Sequence, residues 1–353
     1  MKTPFSQYIK IIGKGHKSGR ALSQCEAKDA FMQILNGEAQ PEQIGAFLMV
    51  LRLREETSEE LAGFVEACRA TLPSSMTQLN TTLDMGCYSG KRRHLPWFLL
   101  AVKCIAATGV RVFMHGTAEP DSNRLYLHTV FKALSLPLSQ TTDEAQSMLD
   151  THGFCYMDLS HAHPQLERII ALRRLFGLRS CANTIARMLN PSAAPFSYHG
   201  VFHKEFDTRH IAVAALLKDH NVSCIRGEGG EVEVNPERAF IQHQYHHANT
   251  HSHEFGPLLD AWQIKPRELA PAHLVDVWTG KVQDRYGQQA VIGTLSTYLV
   301  QLYALPVDVA VTQARKLWLN RQRDFYANQC IAEAPEHLDS AETQPECALN
   351  DGN

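Results

Sequence analysis

The chain has 353 residues, with 34 Lys and Arg against 37 Asp and Glu, and 44% of its residues are hydrophobic. This length and apolar content predict two folded domains, or one large domain with an appended part. No apolar run approaches the roughly 20 residues that span a bilayer, and the first residues lack the apolar stretch of a signal peptide. The nine cysteines are scattered without a Cys-x-x-Cys pair, which is typical of a reducing compartment, so we expect a cytoplasmic protein without a membrane partner.

The charge is unevenly distributed along the chain. Residues 331–353 contain six acids and no Lys or Arg, which leaves 34 basic against 31 acidic residues in the remainder. The same segment contains two prolines and almost no large apolar residue. This composition predicts a disordered acidic tail at 331–353 attached to a slightly basic body.

The N-terminal part predicts three short amphipathic helices. Ser23-Gln-Cys-Glu26 and Thr57-Ser-Glu-Glu60 are capping boxes, and Pro41 suits the first turn of the helix between them. Apolar residues recur at helical spacing after each start signal. We therefore predict a small helical bundle domain at 1–76.

After Pro73 the pattern changes to short apolar runs that alternate with helical segments. The predicted strands are 81–86, 110–114, 154–158 and 222–225, and the predicted helices are 95–108, 124–134, 211–218, 290–303 and 307–321. This alternation predicts an α/β domain with a mainly parallel central sheet flanked by helices, at 77–162 and 193–330. Helices from about 163–192 are expected to join the helical domain. Ligands on such sheets bind beyond the carboxyl ends of the strands, so the candidate site comprises the loops after Met85, Met114, Asp158 and Ile225.

One loop carries the strongest chemical signal. An apolar strand runs into Gly86 and Gly90, and a helix follows from about Leu95, which is the arrangement of a strand-to-helix anion loop. The three positively charged side chains that follow Gly90 exceed what one phosphate needs and indicate a polyanion as ligand, with a solvated basic turn as the alternative. The charges come from Lys91, Arg92 and Arg93.

A second basic segment follows the predicted strand at 154–158. Between Leu159 and Arg187 there is one acid, Glu167, and arginine suits both phosphate binding and stacking on bases. Salt bridging on a helical face is the alternative interpretation. The arginines are Arg168, Arg173, Arg174, Arg179 and Arg187.

Aromatic residues and histidines add weaker signals. Tyr88, Trp97 and Phe98 border the anion loop, where stacking on bases and packing in the core are both open. Five histidines crowd residues 243–253 without a cysteine or a paired carboxylate. We interpret them as imidazoles on an exposed loop rather than as a metal site.

Several separated motifs resemble, in order and spacing, the anthranilate phosphoribosyltransferase-like proteins, which are glycosyltransferases of family 3 related to nucleoside phosphorylases. The resemblance covers roughly residues 5–325 and implies that fold, with a homodimer formed through the N-terminal helical domain. The motifs are Gln43-Ile-Gly-Ala-Phe-Leu with Glu56-Thr-Ser-Glu-Glu, His115-Gly116, His161-Ala-His163-Pro164, Arg173 to Asn183, Leu189-Asn190-Pro191 and His199-Gly200.

The departures from the family pattern bear on function. The family's Gly-Thr-Gly-Gly-Asp loop for a pyrophosphate reads Gly86-Cys-Tyr-Ser-Gly90 here, and Val232 replaces the first residue of an Asp-Glu pair that holds Mg²⁺, whereas Glu233 matches the second. These departures resemble the YbiB-type, non-biosynthetic branch of the family. That resemblance implies nucleic-acid binding with little sequence preference and no demonstrated anthranilate transfer.

Two hypotheses follow. The first is a binding protein whose cleft holds nucleic acid, DNA or RNA, with single strands favoured. The alternative is an Mg²⁺-dependent phosphoribosyltransferase that uses phosphoribosyl pyrophosphate and an unknown acceptor, with a degraded metal site at Glu228, Glu231 and Glu233; no other cofactor is expected. The candidate nucleic-acid or phosphate-binding residues are Tyr88, Ser89, Gly90, Lys91, Arg92, Arg93, His115, His163, Arg173, Arg174, Arg179 and Arg187.

Overall fold

The computed structural model of the protein describes residues 3–15, 18–119 and 122–327. The predicted acidic tail at 331–353 lies outside the described residues. Within them the helices are α1 Phe5–Gly13, α2 Gln24–Leu35, α3 Pro41–Arg54, α4 Ser58–Ala70, α5 Phe98–Ala106, α6 Leu127–Ala133, α7 Thr142–His152, α8 Leu159–Ala162, α9 Pro164–Ala171, α10 Arg173–Phe176, α11 Ala182–Arg187, α12 Phe206–Leu217, α13 Ala272–Thr279, α14 Arg285–Tyr303 and α15 Val307–Leu319. The strands are β1 Leu83–Cys87, β2 Val112–Gly116, β3 Phe154–Asp158, β4 Phe196–Val201, β5 Asn221–Arg226, β6 Phe240–His246 and β7 Asn249–Phe255.

The N-terminal helices begin where the sequence signals predict. The amide of Glu26 donates to Ser23 Oγ at 3.3 Å and the amide of Glu60 donates to Thr57 Oγ1 at 3.2 Å, so both capping boxes are formed. Pro41 is the first residue of α3. The expected three helices are preceded by a fourth, α1, whose buried side chains continue the helical core. The helical part of the prediction is confirmed and extended by one helix.

The central sheet confirms the predicted fold class. Its strand order is β3-β2-β1-β4-β5-β6-β7, with parallel pairing from β3 through β5 and antiparallel pairing of β6 and β7. The sequence did not predict β4, because its buried residues include Ser197 and His199 and the strand lacks an apolar run. The histidine-rich stretch that we expected as a loop is the β6–β7 hairpin.

The two faces of the sheet contact different layers. Met85 and Met114 face a core with α5, α14 and α15. Phe113 and Met157 belong instead to a core that includes α1–α4 together with Ile170 of α9 and residues of α11. The helices around 163–192 therefore pack with the N-terminal bundle, and the space between this layer and the sheet's carboxyl edge is where the site lies.

No single helix of the described chain is long and apolar enough to cross a membrane. Among the residues that the structure describes, α14 and α15, bent by 119° between them, reach the necessary length and apolar content only as a pair.

Candidate functional site

A cleft of about 510 Å³ lies beyond the carboxyl ends of β1, β4 and β5, where the sheet meets α3 and α11. The loops after β1, β2 (through Arg124) and β5 line it, as expected; the loop after β4 also lines it, whereas the loop after β3 does not. We call this feature the basic cleft, because its lining includes two acids, Glu228 and Glu237, against nine bases. The bases are Arg52, Lys91, Arg92, Arg93, Arg124, Arg179, Arg187, Arg238 and Lys265.

Most of these cations reach solvent. Arg92 and Arg93 are exposed at the rim of the loop after β1, and Arg52 is exposed on α3 across the cleft. A concave wall lined by one sign of charge concentrates the electrostatic potential and attracts anions. The basic cleft therefore concentrates positive charge over a surface that is longer than a single phosphate group.

The outward-pointing amides of the anion loop are occupied by the protein itself. Oε1 of Glu231 accepts from the backbone nitrogen of Ser89 at 2.6 Å and also from the amide of Gly90. The side chain of Glu231 is 3% exposed, and its burial raises the pKa of the carboxyl group. A carboxylate of the chain thus lies where an exogenous anion would bind.

Glycines allow this close approach. A Cβ on Gly200, at the end of β4, would lie 2.3 Å from the carbonyl carbon of Glu231, and a Cβ on Gly227 would lie 1.7 Å from its carbonyl oxygen. Gly230 has φ +85, a conformation that L side chains rarely adopt. The Arg226-Gly-Glu-Gly-Gly-Glu turn is therefore built to bring Glu231 against the anion loop.

A second carboxylate occupies the start of α5. Oε2 of Glu233 accepts from the amide of Phe98 at 2.8 Å, and its Oε1 lies 2.6 Å from Lys91 Nζ. Both charged side chains are buried, at 2% and 0% exposure. Burial raises the pKa of Glu233 to about 7, against the opposing effect of the Lys91 ammonium group. Lys91, expected to contact a polyanion, is instead held in an internal ion pair.

A buried polar chain supports the floor of the cleft. Tyr88 Oη lies 2.6 Å from His115 Nδ1, and His115 Nε2 lies 3.1 Å from Asp84 Oδ1. The guanidinium of Arg187 lies 5.9 Å from the centre of the Tyr88 ring and donates to Ser89 Oγ at 2.7 Å. Tyr88 and His115 are 1% and 0% exposed, so the expectation that they contact a ligand is corrected: they support Arg187 and the loop from behind.

Other expected residues also lie outside the cleft lining. His163 is buried and accepts from the amide of Leu166 at 3.2 Å, so it caps α9. Arg173 pairs with Glu119, an acid in the loop after β2 that also lies 3.3 Å from Arg179. Arg174 is exposed and Gly90 serves through its backbone, but neither is part of the lining. Of the expected set, Ser89, Lys91, Arg92, Arg93, Arg179 and Arg187 line the cleft.

The three carboxylates expected at a degraded metal site do not fit Mg²⁺. Glu231 accepts from two amides and Glu233 binds Lys91, while Glu228 accepts from Asn235 Nδ2 at 3.0 Å. Among the described residues no group of three or more His, Cys, Asp and Glu side chains is arranged to hold a metal ion, the histidines of β6 and β7 included.

Two exposed aromatic rings that the sequence did not single out line the basic cleft. Phe202 is 67% exposed and Trp262 is 64% exposed, and the guanidinium carbon of Arg238 lies 5.3 Å from the Trp262 ring centre. Trp97 and Phe98, by contrast, are 2% and 1% exposed, so the core alternative is confirmed for them. Neither Phe202 nor Trp262 belongs to a periodic pattern or motif, and only the fold brings them to the cleft.

Two profiles of one glycosyl transferase family match the chain. The helical bundle domain of the family matches residues 6–72, and its a/b domain matches residues 99–257. These ranges coincide with the N-terminal helices and with most of the sheet.

Relatives of the chain fall into two groups. The uncharacterized protein YbiB of Escherichia coli K12 is 28% identical over 66% of this chain and 74% of its own length. Anthranilate phosphoribosyltransferase of Methylobacterium radiotolerans is 30% identical over 61% of this chain, but the match spans only 62% of that enzyme. Among solved structures, anthranilate phosphoribosyltransferase of Thermus thermophilus superposes with a TM-score of 0.73 at 20% identity, covering 88% of this chain and 94% of the enzyme.

Proposed function

Because this chain belongs to glycosyl transferase family 3 and has the anthranilate phosphoribosyltransferase-like fold, including its YbiB-type form, we propose that it uses the family's cleft to bind nucleic acid with little sequence preference. The observation that carries the proposal is that nine Lys and Arg side chains and two Glu side chains line one cleft. Affinity for a nucleic-acid backbone comes mainly from neutralised phosphates and released counterions.

The position of the charges supports a strand as ligand. Arg92 and Arg93 are at one side of the cleft, Arg52 is on α3, and Lys265 is on the segment after β7. A cleft of this kind provides separate contacts for successive phosphates, whereas a single small anion needs only one of them.

The exposed aromatic rings support single strands over duplexes. Phe202 and Trp262 present their rings within the cleft, and unpaired bases stack on such rings with about 1–3 kcal/mol per base. Stacking does not depend on base identity, since every base has an aromatic face. Paired bases in a duplex do not offer that face.

Phosphoribosyl transfer, which the names of some relatives suggest, has weaker support. The anion loop's amides are occupied by Glu231, and the carboxylates expected to hold Mg²⁺ have other partners. The structure with phosphoribosyl pyrophosphate and Mg is that of the Saccharomyces cerevisiae enzyme, 16% identical to this chain, and it bears on the fold alone.

We also propose that the protein pairs with a second copy of itself through the helical bundle. Leu53 at the end of α3 is 87% exposed, and Leu175 of α10 is 80% exposed. The two helices are adjacent, since a Cβ on Gly45 of α3 would lie 3.8 Å from the Phe176 ring of α10, and a contiguous exposed apolar patch marks an interaction surface. Light scattering of the wild type and of Leu53→Glu/Leu175→Glu tests this, with a dimer expected for the former and a monomer for the latter.

The test of the proposed function is a binding titration against a labelled single strand, the matching duplex and an RNA of the same length, each at several salt concentrations. We expect the single strands to bind more tightly than the duplex and binding to weaken steeply as salt rises. Calorimetry with phosphoribosyl pyrophosphate and Mg²⁺ is the opposing experiment. Saturable heat there, with no strand binding, would overturn the proposal in favour of the transferase.

A further inference from the structure

The floor of the basic cleft contains polar atoms that the protein leaves without a partner. Asn183 is 4% exposed and lines the cleft, yet neither its Oδ1 nor its Nδ2 has a hydrogen-bond partner among the described residues. A buried polar group without a partner costs about 1–3 kcal/mol. An unsatisfied amide at the wall of a cleft requires a partner from outside the protein, which a ligand or an ordered water can provide.

A second such atom belongs to His210, which also lines the cleft. Its Nδ1 lies 3.1 Å from His199 Nδ1, and His199 Nε2 lies 2.9 Å from Ser197 Oγ. His210 is 1% exposed, and its Nε2 has no partner among the described residues. The chain of contacts from Ser197 through two rings therefore ends at a free nitrogen in the wall of the cleft.

Both imidazole rings are neutral at physiological pH, so the hydrogen-bonded series of Ser197, His199 and His210 has two tautomeric forms. Burial lowers the pKa of His199 to about 3 and that of His210 well below its usual range. Between the two facing Nδ1 atoms one donates and the other accepts. If His199 donates, His210 carries its proton on Nε2, and if His210 donates, Nε2 is bare. The Ser197 hydroxyl suits either form, because it both donates and accepts.

The side-chain amide of Asn183 can also present either a donor or an acceptor to a ligand. Rotation of its amide by half a turn exchanges the carbonyl oxygen and the NH₂ group. Both side chains line the basic cleft, as does Arg187, which donates to the backbone carbonyl of Asn183. The floor thus offers hydrogen bonds whose direction adjusts to the ligand.

The surroundings indicate the class of ligand. The floor contains the neutral polar groups of Asn183, Thr184 and His210 beside one buried cation, Arg187, whose guanidinium group donates to the protein itself. The rim carries the exposed cations and the exposed ring of Phe202. A phosphate or carboxylate would bind at the rim. A planar, neutral heterocycle with mixed donors and acceptors on its edge suits the floor.

We propose that Asn183 and His210 form a base-edge subsite that takes one nucleobase of a bound strand and accepts keto and amino edges alike. This inference rests on the proposed function, and it gives a structural reason for base contact without sequence preference. A free nucleoside carries the same edge, so the test includes it as a second source.

The experiment compares strands of ten thymidines, ten cytidines and ten abasic residues by fluorescence anisotropy at one salt concentration, with free thymidine and cytidine as competitors. We expect the two base-containing strands to agree within about twofold and both to bind at least tenfold more tightly than the abasic strand. Free nucleosides should compete only at much higher concentration. Competition at equal concentration would contradict a strand as the natural source.

Asn183→Leu should reduce the gain, which is the affinity for a base-containing strand divided by that for the abasic strand, by about fivefold for both bases. The affinity for the abasic strand should stay unchanged. The matched control is Asn320→Leu, because Asn320 is exposed at the end of α15 and is not part of the cleft lining. An undiminished gain in Asn183→Leu, or an equal loss in the control, would overturn the inference. If no strand binds at all, the proposed function itself fails, which is a distinct result.

Asn183→Asp is the second variant, nearly equal in shape and therefore suited to the case where Asn183→Leu does not fold. A carboxylate cannot exchange donor and acceptor by rotation. We expect the thymidine and cytidine strands to separate by more than about threefold in this variant. An unchanged ratio would contradict the proposed adjustable edge.

Discussion

Glu231 Oε1 lies 2.6 Å from the backbone nitrogen of Ser89, so the protein's own carboxylate satisfies the anion loop. In the same region Lys91 Nζ lies 2.6 Å from Glu233 Oε1. Both contacts consume groups that a small phosphate ligand would need. The free cations that remain, such as Arg92 and Arg93, are at the rim, where they suit an extended anion.

Removing the Glu231 carboxylate should reopen the anion loop. In Glu231→Ala the amides of Ser89 and Gly90 lose their acceptor, which should lower the free energy of unfolding by about 1–3 kcal/mol. Added pyrophosphate should then raise the melting temperature of the variant more than that of the wild type, because it binds the freed amides. Glu254→Ala, at an exposed carboxylate of β7, is the control. Equal shifts in all three proteins would contradict this explanation.

Breaking the buried ion pair should destabilise the fold strongly. Lys91→Met leaves Glu233 buried without its partner, and such changes cost about 3–5 kcal/mol. Lys91→Met/Glu233→Gln removes the charge while keeping an acceptor for the Phe98 amide, so it should recover much of the loss. Urea unfolding of the three proteins measures both effects. A double variant as unstable as the single one would contradict the pairing.

Tryptophan fluorescence should report strand binding. Trp262 is 64% exposed in the cleft, whereas Trp97, Trp278 and Trp318 are at most 3% exposed. Stacking of a base on Trp262 should quench the emission, and Trp262→Phe should remove most of that quenching. Phe202→Ala should weaken single-strand binding by about 5-fold or more, as expected for one lost stack. Duplex binding should change little in either variant.

Acid should destabilise the protein partly through His94. This ring stacks on Tyr286 at 3.8 Å, and burial lowers the pKa of His94 to about 4. The unfolded chain therefore binds more protons between about pH 6.5 and pH 4, so this contribution is complete above pH 6.5 and is lost as the pH falls through that range. Glu233, with its raised pKa, contributes with the opposite sign.

The difference between variants isolates the His94 contribution. His94→Phe should show a smaller loss of stability from pH 7 to pH 5 than the wild type, measured as the change in the urea midpoint. His161→Gln changes an exposed histidine and should behave as the wild type does. An unchanged pH dependence in His94→Phe would show that the ring is protonated in the folded protein.

Much of the fold could be predicted from local signals. Capping boxes and apolar periodicity placed α2, α3 and α4, and the apolar runs placed β1, β2, β3 and β5 within a few residues. The strand β4 was missed, because the fold buries His199 within a hydrogen-bond chain rather than among apolar neighbours. A strand prediction uses only the local residue types, which here are polar, whereas burial of these residues depends on partners distant in the sequence.

The positive charge of the site could be predicted from the sequence, but the ion-pair partners of its residues could not. The sequence places Arg92 and Arg93 next to glycines, and this was sufficient to identify the loop. It did not show that Lys91 would turn inward to Glu233, 142 residues away, or that Glu119 would neutralise part of the arginine segment. The positions of Trp262 and Phe202 in the cleft depend on how loops that are distant in the sequence pack together, so they could not be predicted.

The most direct test of the account is charge reversal at the cleft against an equal reversal elsewhere. Arg92→Glu/Arg93→Glu changes two exposed cations of the cleft, and Arg168→Glu/Arg174→Glu changes two exposed arginines outside its lining by the same net charge. We predict that the first variant loses single-strand affinity by at least tenfold, with a salt slope reduced in magnitude by about 1.4 for two lost phosphate contacts, while the second stays within about threefold of the wild type. Equal affinities of the two variants for the strand would contradict the account.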